Sequence, residues 1–473
     1  MPNRNEIQFI REIHDKIIDH LLNPDKVIVK PNSTPDNIYR SNDLDLGDPI
    51  DLEDVKKIID KYLASSIRTD SANFYNQLFS GFSPMGYIGE MIATITNSSM
   101  YTFEMSPTAT MIEKELINKM SKLIGYKDGF GTFVNGGSNG NLVAMLSARH
   151  RISPISKTKG LFDQQQLVAF VSEESHYSFV KAGYQIGIGT DQVRKVPCDE
   201  TGHMDTEVLR SMIKTSLKNG QKPFFVAATA GTTVRGIFDH INEIADICDD
   251  FELWLHIDAS WGAPVIFSKK YKHLLDGSDR SDSFTWCCHK MMGIPLVCTA
   301  IILKDKQILE QINEVKGTEY LFHNNKHNEL DLGRFSLQCG RKVDSLKLWL
   351  TWKYFGDSGY EKRINHLFHL ANYSENKVNK SPILKLVSPV ESLNICFQLQ
   401  PEQLHENQWN NFTISVRNKL IDSGQVMVNY AYIGEVSCIR LITVNFEQDK
   451  KHLDNFFNIV EETSFKILKK YIS

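Results

Sequence analysis

At 473 residues, 41% hydrophobic and 10% aromatic, the chain is too long for a single hydrophobic core and too apolar to remain disordered. A formal net charge of −4, from 53 basic and 57 acidic side chains, gives no attraction to nucleic acid or to an anionic membrane. No apolar run approaches the ~18 residues a bilayer span needs, and the opening MPNRNEIQF lacks the basic and apolar regions of a signal peptide. Eight cysteines, at 198, 248, 287, 288, 298, 339, 396 and 438, include no C-x-x-C pair. They read as reduced thiols of a cytoplasmic protein, with no metal site expected.

In chain order, residues 1–70 predict a helical preface. Ile7, Phe9, Ile10, Ile13, Ile17 and Leu21 recur at helical spacing, and DLEDVKKIIDKYLA repeats the pattern after a Pro- and Asn-rich loop, NPDKVIVKPNSTPDN. Two such helices bury little alone, so they are expected to pack on a partner subunit. Residues 71–350 alternate strands with helices. LVAFVS, PFFVAATA, LWLHIDA and CTAIIL are near-continuous apolar runs, as buried central strands should be. TEVLRSMIKTSLKNG and INEIADICDDF are amphipathic helices between them. The pattern predicts an α/β domain with a mainly parallel central sheet and helices on both faces. Residues 351–473, with shorter strands in NICFQLQ and CIRLITVN, predict a smaller C-terminal α+β domain.

Chemistry concentrates at a few points. In TWCCHKMMG, Lys290 sits in an apolar context where a lysine needs a covalent or charged partner. The strand LWLHIDA carries Asp258 to its C-terminal end, where open α/β sheets bind ligands. Pyridoxal 5′-phosphate chemistry needs such a pair: an amine to bind the cofactor aldehyde, and a carboxylate to keep the pyridine nitrogen protonated. Taken singly, each is more often a surface lysine or an aspartate bonded to a turn. In NGGSNGNLVAML, Gly136, Gly137, Ser138 and Gly140 run into a helix, and N–H groups at a helix start hold phosphate. ATAGTTVRG offers Thr232 and Thr233 after another strand, and SEESHYS places His176 where an imidazole stacks on a ring or, more blandly, caps a turn.

Together HIDASWGAP and TWCCHKMMGIPL, with 32 residues from Asp258 to Lys290, resemble the group II pyridoxal-phosphate-dependent amino-acid decarboxylases. The resemblance extends through NFYNQLFSG, FEMSP, NGGSNGN, SEESHYS, GIGTD, ATAGTTVRGIFD, YLF and LQCGRKVDSLKLWL to CIRLITVN, most of the chain. It implies the fold type I (PLP-dependent transferase-like) architecture and a homodimer. It also implies a cofactor-binding lysine in Lys290, a pyridinium partner in Asp258 and a ring-stacking His176. Gly137, Ser138, Thr233 and His289 would lie around the cofactor and its phosphate.

The acidic-substrate branch of that family is the most similar. Gln77 in NQL and Arg440 in CIRLITVN fall where that branch contacts the substrate's distal acid, and an arginine fork grips a carboxylate or sulfinate in two places. Phe79, where glutamate decarboxylases carry serine, removes volume and points to aspartate or cysteine sulfinate, with glutamate the second reading. The chain departs from the family twice: Cys287-Cys288 replaces Asn-Pro, and Leu330 in KHNELDLGRF stands where many members carry a catalytic-loop tyrosine. The second departure leaves an aldehyde-forming activity as a further alternative.

Overall fold

The computed structural model describes residues 2–22, 28–31, 34–41, 44–323 and 327–472. The loop expected over 23–37 lies partly outside them, at 23–27 and 32–33; its last residues open a short helix, Pro35–Ser41. The strands are β1 (Phe74–Tyr75), β2 (Phe130–Val134), β3 (Leu167–Ser172), β4 (Val193–Val196), β5 (Lys222–Thr229), β6 (Trp254–Asp258), β7 (Ser283–Cys287), β8 (Thr299–Leu303), β9 (Leu384–Leu386), β10 (Asn394–Leu399), β11 (Met427–Ile433) and β12 (Val436–Ile442). Contacts divide the chain into two units. One comprises 82–369 and 388–394; the other comprises 1–81, 370–387 and 395–473. The preface and the C-terminal region, read from sequence as separate, therefore fall in one unit.

The larger unit is built on a seven-stranded sheet in the order β2-β8-β7-β6-β5-β3-β4. Strands β4, β3, β5, β6 and β7 run parallel, while β8 runs antiparallel to both β7 and β2. The sheet is the mainly parallel one expected, with helices on both faces and an antiparallel edge. The continuous runs are strands because both sheet faces are covered: every residue of β3, β6, β7 and β8 is buried. The helix Thr206–Lys218 starts on Asp205, whose side chain accepts the Val208 N–H, and turns Leu209, Ile213 and Ser216 inward. The helix Gly137–Ile152 sends Val143, Ala144, Met145 and Ala148 into a core with Ala169, Val171, Phe225, Ala227 and Ile301. Gly140 lets this helix lie directly on β7, since a Cβ there would sit 2.7 Å from Thr285 Oγ1.

The smaller unit holds a five-stranded sheet in the order β1-β11-β12-β10-β9. Strand β1 joins β11 in parallel, and β11 pairs antiparallel with β12, placing Asn429 opposite Arg440. The helix Glu406–Ser423 packs on β11 and β12 and against the helix Lys450–Ile472. The helix Arg4–Leu21 begins in an Asn3–Glu6 capping box and buries none of its residues. Ion pairs Lys16–Asp60 and Lys56–Glu12 link it to the helix Leu52–Ser65. Among the described residues no helix is long and apolar enough to cross a membrane.

Candidate active site

Parallel strands place their carboxyl ends along one edge of the large sheet, and the candidate chemistry gathers there. Asp258 closes β6, in register with Thr229 at the end of β5 and with Thr285 in β7. His176 follows β3 by four residues, and Lys290 follows β7 by three. The helix Gly137–Ile152 starts at the same edge without a side-chain cap. A cavity of about 210 Å³ lies among them, lined by Gly137, Ser138, Asn141, His176, Tyr177, Thr229, Gly231, Thr233, Asp258, Ser260, Trp261 and Lys290.

Asp258 is 5% exposed. Its Oδ1 accepts the Ser260 N–H at 3.1 Å and its Oδ2 accepts Asn141 Nδ2–H at 2.8 Å. Burial opposes its charge, yet Ser260, His256, Lys290 and Asn141 together outweigh it and hold the carboxyl below its ordinary value. It is an anion at neutral pH. Burial lowers the His176 pKa, and its Nδ1 accepts the Ser178 N–H at 3.3 Å, so the neutral ring carries its proton on Nε2.

These residues fit pyridoxal phosphate on three counts. Ser260 Oγ, Thr229 Oγ1 and Trp261 Nε1 are buried with no hydrogen-bond partner among the described residues, and all three residues line the cavity. Buried polar atoms rarely stay unpaired, and a phosphate ester with a ring hydroxyl supplies acceptors and donors. The uncapped helix start offers N–H groups to an anion. A Cβ on Gly137 would meet Ser260 Oγ at 2.5 Å and Cys287 Sγ at 3.2 Å, so only glycine leaves that approach open.

Of the residues singled out from sequence, Lys290, Asp258, His176, Gly137, Ser138 and Thr233 line this one cavity. His289 does not line it. That ring is buried, with Nδ1 3.1 Å from the Cys298 N–H, and burial pushes its pKa down to about 4. Gln77, Phe79 and Arg440 belong to the other unit. There, Arg440 is 6% exposed and its Nη2 donates to Asn76 O at 3.0 Å, which holds the guanidinium against the segment carrying Gln77. Phe79 packs 6.4 Å from the Phe74 ring. Cys287 and Cys288 are fully buried, and burial raises both thiol pKa values. Cys287 Sγ accepts Thr299 Oγ1–H at 3.2 Å and is a neutral filler behind Gly137. Leu330 is buried in a 3₁₀ turn and has no proton to give; Lys326, which opens its loop, lies outside the described residues.

Sequence reasoning missed Asn141, Thr229, Ser260 and Trp261. Two of them left a signal: Asn141 lies one helical turn after Gly137, and Ser260 lies two residues after Asp258.

The pyridoxal-dependent decarboxylase conserved domain matches residues 35–400. Mouse acidic amino acid decarboxylase GADL1 is 36% identical over 433 residues, covering 89% of this chain and 78% of the relative. Human cysteine sulfinic acid decarboxylase is 37% identical over 423 residues, covering 86% of each. A crystal structure of mouse CSAD superposes with a TM-score of 0.95 at 32% identity, over 98% of this chain and 99% of that one. Oryza sativa TDC with PLP and tryptamine, at 22% identity and a TM-score of 0.91 over 98% of this chain and 99% of that one, shares the fold.

Proposed function

The chain belongs to the pyridoxal-dependent decarboxylase family, and from that membership and its cavity we propose that it removes the α-carboxylate of a short acidic L-amino acid, aspartate or cysteine sulfinate. Arg440, a buried guanidinium held by Asn76 O beside Gln77, is the group we assign to the substrate's distal acid, as the resemblance implies. A guanidinium at the distal end of the substrate would grip a carboxylate or sulfinate in two places and discriminate against aromatic side chains. The named activities of the two relatives support the same class. Phe79 favours the shorter acids over glutamate, because its bulk removes volume that a serine would leave open.

Bound pyridoxal phosphate supplies an electron-accepting pyridinium ring and an aldehyde that engages amines. In this reading Lys290 Nζ would be the amine that holds the cofactor's aldehyde. The Asp258 carboxylate would keep the pyridine nitrogen protonated, and His176 would lie against the ring. Gly137 and Ser138 at the helix start, with the hydroxyls of Ser260, Thr229 and Thr233, take the phosphate end. Leu330 contributes no acid, so the proton delivered to the α-carbon would come from another group, and Lys290, His176 and Tyr177 line the cavity.

We assign the protein as a homodimer in the cytoplasm. Ile88, Ile92 and Ile95 form an exposed stripe at helical spacing on the helix Pro84–Thr96, and Ile7, Ile10 and Ile18 form another on the helix Arg4–Leu21. Exposed stripes of this kind mark association surfaces. The deciding experiment is carbon dioxide release from aspartate, cysteine sulfinate, glutamate and aromatic amino acids. Aspartate or cysteine sulfinate should lead, and Phe79→Ser should move relative kcat/KM toward glutamate by about tenfold to a hundredfold. An aromatic amino acid as best substrate would overturn the reading. Light scattering at micromolar concentration tests the dimer.

A further inference from the structure

Behind Asp258 runs a buried chain of polar groups that never reaches solvent. Trp254 Nε1 lies 2.8 Å from Ser283 Oγ, which lies 2.8 Å from His256 Nδ1. His256 Nε2 lies 3.1 Å from Asn141 Oδ1, and Asn141 Nδ2 lies 2.8 Å from Asp258 Oδ2. The second Asn141 Nδ2 hydrogen goes to Ser178 Oγ at 3.0 Å. His256 is fully buried, stacked on Phe225 at 5.8 Å and edge-on to Phe179 at 6.0 Å.

The direction of every bond in this chain follows from one charge. An ionised carboxylate only accepts, so Asn141 must turn its NH₂ to Asp258 and its carbonyl to His256. That carbonyl only accepts, so His256 must carry a hydrogen on Nε2. Burial pushes the His256 pKa down to about 4, so the ring is neutral at pH 7 and its Nδ1 is a bare acceptor. Ser283 must then spend its single O–H on Nδ1, and its lone pair accepts the Trp254 N–H. Every donor is used and every bond points toward Asp258. Had His256 held its hydrogen on Nδ1, Nε2 would face the Asn141 carbonyl, acceptor against acceptor. Flipping Asn141 would relieve that contact only by presenting its carbonyl to the Asp258 carboxylate.

We propose that His256 and Asn141 are positioning residues for the cofactor-facing carboxylate: His256 locks the Asn141 amide with its N–H toward Asp258, fixing the aim of that carboxylate and keeping it ionised. The two N–H donors, Asn141 on Oδ2 and Ser260 on Oδ1, orient the group while leaving lone pairs for the pyridine N–H. Ser178 ties the same amide to His176, since its Oγ accepts from Asn141 while its N–H sets the His176 tautomer. One buried amide thereby coordinates the groups assigned to the ring nitrogen and to the ring face. The inference rests on the pyridoxal phosphate assignment and is independent of which amino acid is the substrate.

The test re-titrates pyridoxal phosphate into cofactor-stripped wild type, His256→Phe, Asn141→Ser and the double variant, followed by protein fluorescence, with a melting curve for each. Cofactor labelled with ¹⁵N in the pyridine ring reports protonation of that nitrogen. Phenylalanine matches the planar shape between Phe225 and Phe179. Each single variant should weaken cofactor binding about tenfold, the usual worth of a hydrogen bond to a charged group. The double variant should be no weaker than the worse single, because both act through one amide. The ¹⁵N shift should move toward the unprotonated value in all three variants. Additive losses near a hundredfold, or lowered melting with unchanged ¹⁵N shift and affinity, would overturn the proposal by reducing His256 to packing. If His256→Phe does not fold, His256→Gln, whose amide can donate to Asn141 Oδ1, should restore near-wild-type affinity where His256→Ala does not; equal loss in the two overturns it. A wild type that binds no pyridoxal phosphate would remove the cofactor assignment itself.

Discussion

Replacing Asp258 with asparagine tests the electron sink at its anchor. The wild-type carboxylate accepts two N–H donors, from Ser260 at 3.1 Å and Asn141 at 2.8 Å, and both oxygens retain lone pairs. An asparagine has one carbonyl oxygen, so its NH₂ must face one of those donors, at a cost of about 1–3 kcal/mol. The larger loss is the charge. A pyridinium at a hydrogen-bond distance of about 3 Å, with an effective dielectric of about 20, gains about 5.5 kcal/mol from the carboxylate. Asparagine gives up most of that, which predicts a kcat lower by about three to four orders of magnitude. Cofactor affinity should fall only about tenfold, since the helix start at Gly137 and the hydroxyls of Ser260 and Thr229 are untouched. Single-turnover carbon dioxide release at saturating cofactor, on protein with an unchanged melting curve, separates the two effects. A variant retaining a tenth or more of wild-type kcat would refute the assignment of Asp258 to the ring nitrogen.

Lys290→Ala should abolish multiple-turnover decarboxylation while the fold persists; near-normal turnover would remove the lysine from the mechanism. Gly137→Ala should raise the cofactor Kd at least tenfold, because the new Cβ lies 2.5 Å from Ser260 Oγ; unchanged affinity would place the phosphate elsewhere. The apoprotein should lose stability as pH falls from 6.5 toward 4. Burial lowers His256 and His289 to about 4, so the unfolded chain takes up those protons first, at a cost of about 3 kcal/mol for each. Asp239, pushed up to about 6 by burial, opposes this below pH 6, so the net fall should be close to one histidine's worth. His256→Phe should flatten the melting temperature's pH dependence in that window, and a profile as steep as wild type would contradict the buried neutral ring.

The strands read most readily were those with long, near-continuous apolar runs: β3, β5, β6 and β8 follow LVAFVS, PFFVAATA, LWLHIDA and CTAIIL within a residue or two. Strand β2, FGTFV, carries a glycine and a threonine, and β7, SFTWC, carries a serine and a threonine at buried positions. Neither shows a continuous run, and their pairing partner β8 is antiparallel, which a strand–helix alternation does not announce. Lys290 and Asp258 were legible because a charge in an apolar run demands a reason. Asn141 was not, since an asparagine in a Gly- and Asn-rich turn looks like turn chemistry. Its partner His256 lies 115 residues away, and only the folded sheet joins them. The grouping of 1–81 with the C-terminal region was equally hidden, because β1 supplies just two residues to the sheet it shares with β11.

The residues assigned to the cofactor and those assigned to the substrate's acid differ in how they are held. Each group assigned to the cofactor sits at a strand end or helix start of the large sheet, and several share one buried polar chain. A change in that chain disturbs its neighbours, because donors and acceptors are matched one to one; substituting Asn141 leaves both His256 and Ser178 short of a partner. The residues assigned to the substrate's far acid are wired more simply. Gln77 follows β1, Arg440 lies within β12, and Arg440 Nη2 donates to Asn76 O beside Gln77. Phe79 adds a ring contact with Phe74 and no polar obligation. Its replacement alters volume and packing against Phe74 without stranding a buried donor. On the proposed assignment, a change at Phe79 would alter preference among short acids without touching the residues assigned to the cofactor. The same asymmetry explains why the cofactor was readable from this sequence and the preferred acid was not: the cofactor depends on many mutually constraining residues, whereas the reading of the acid's length leaned on the single residue Phe79.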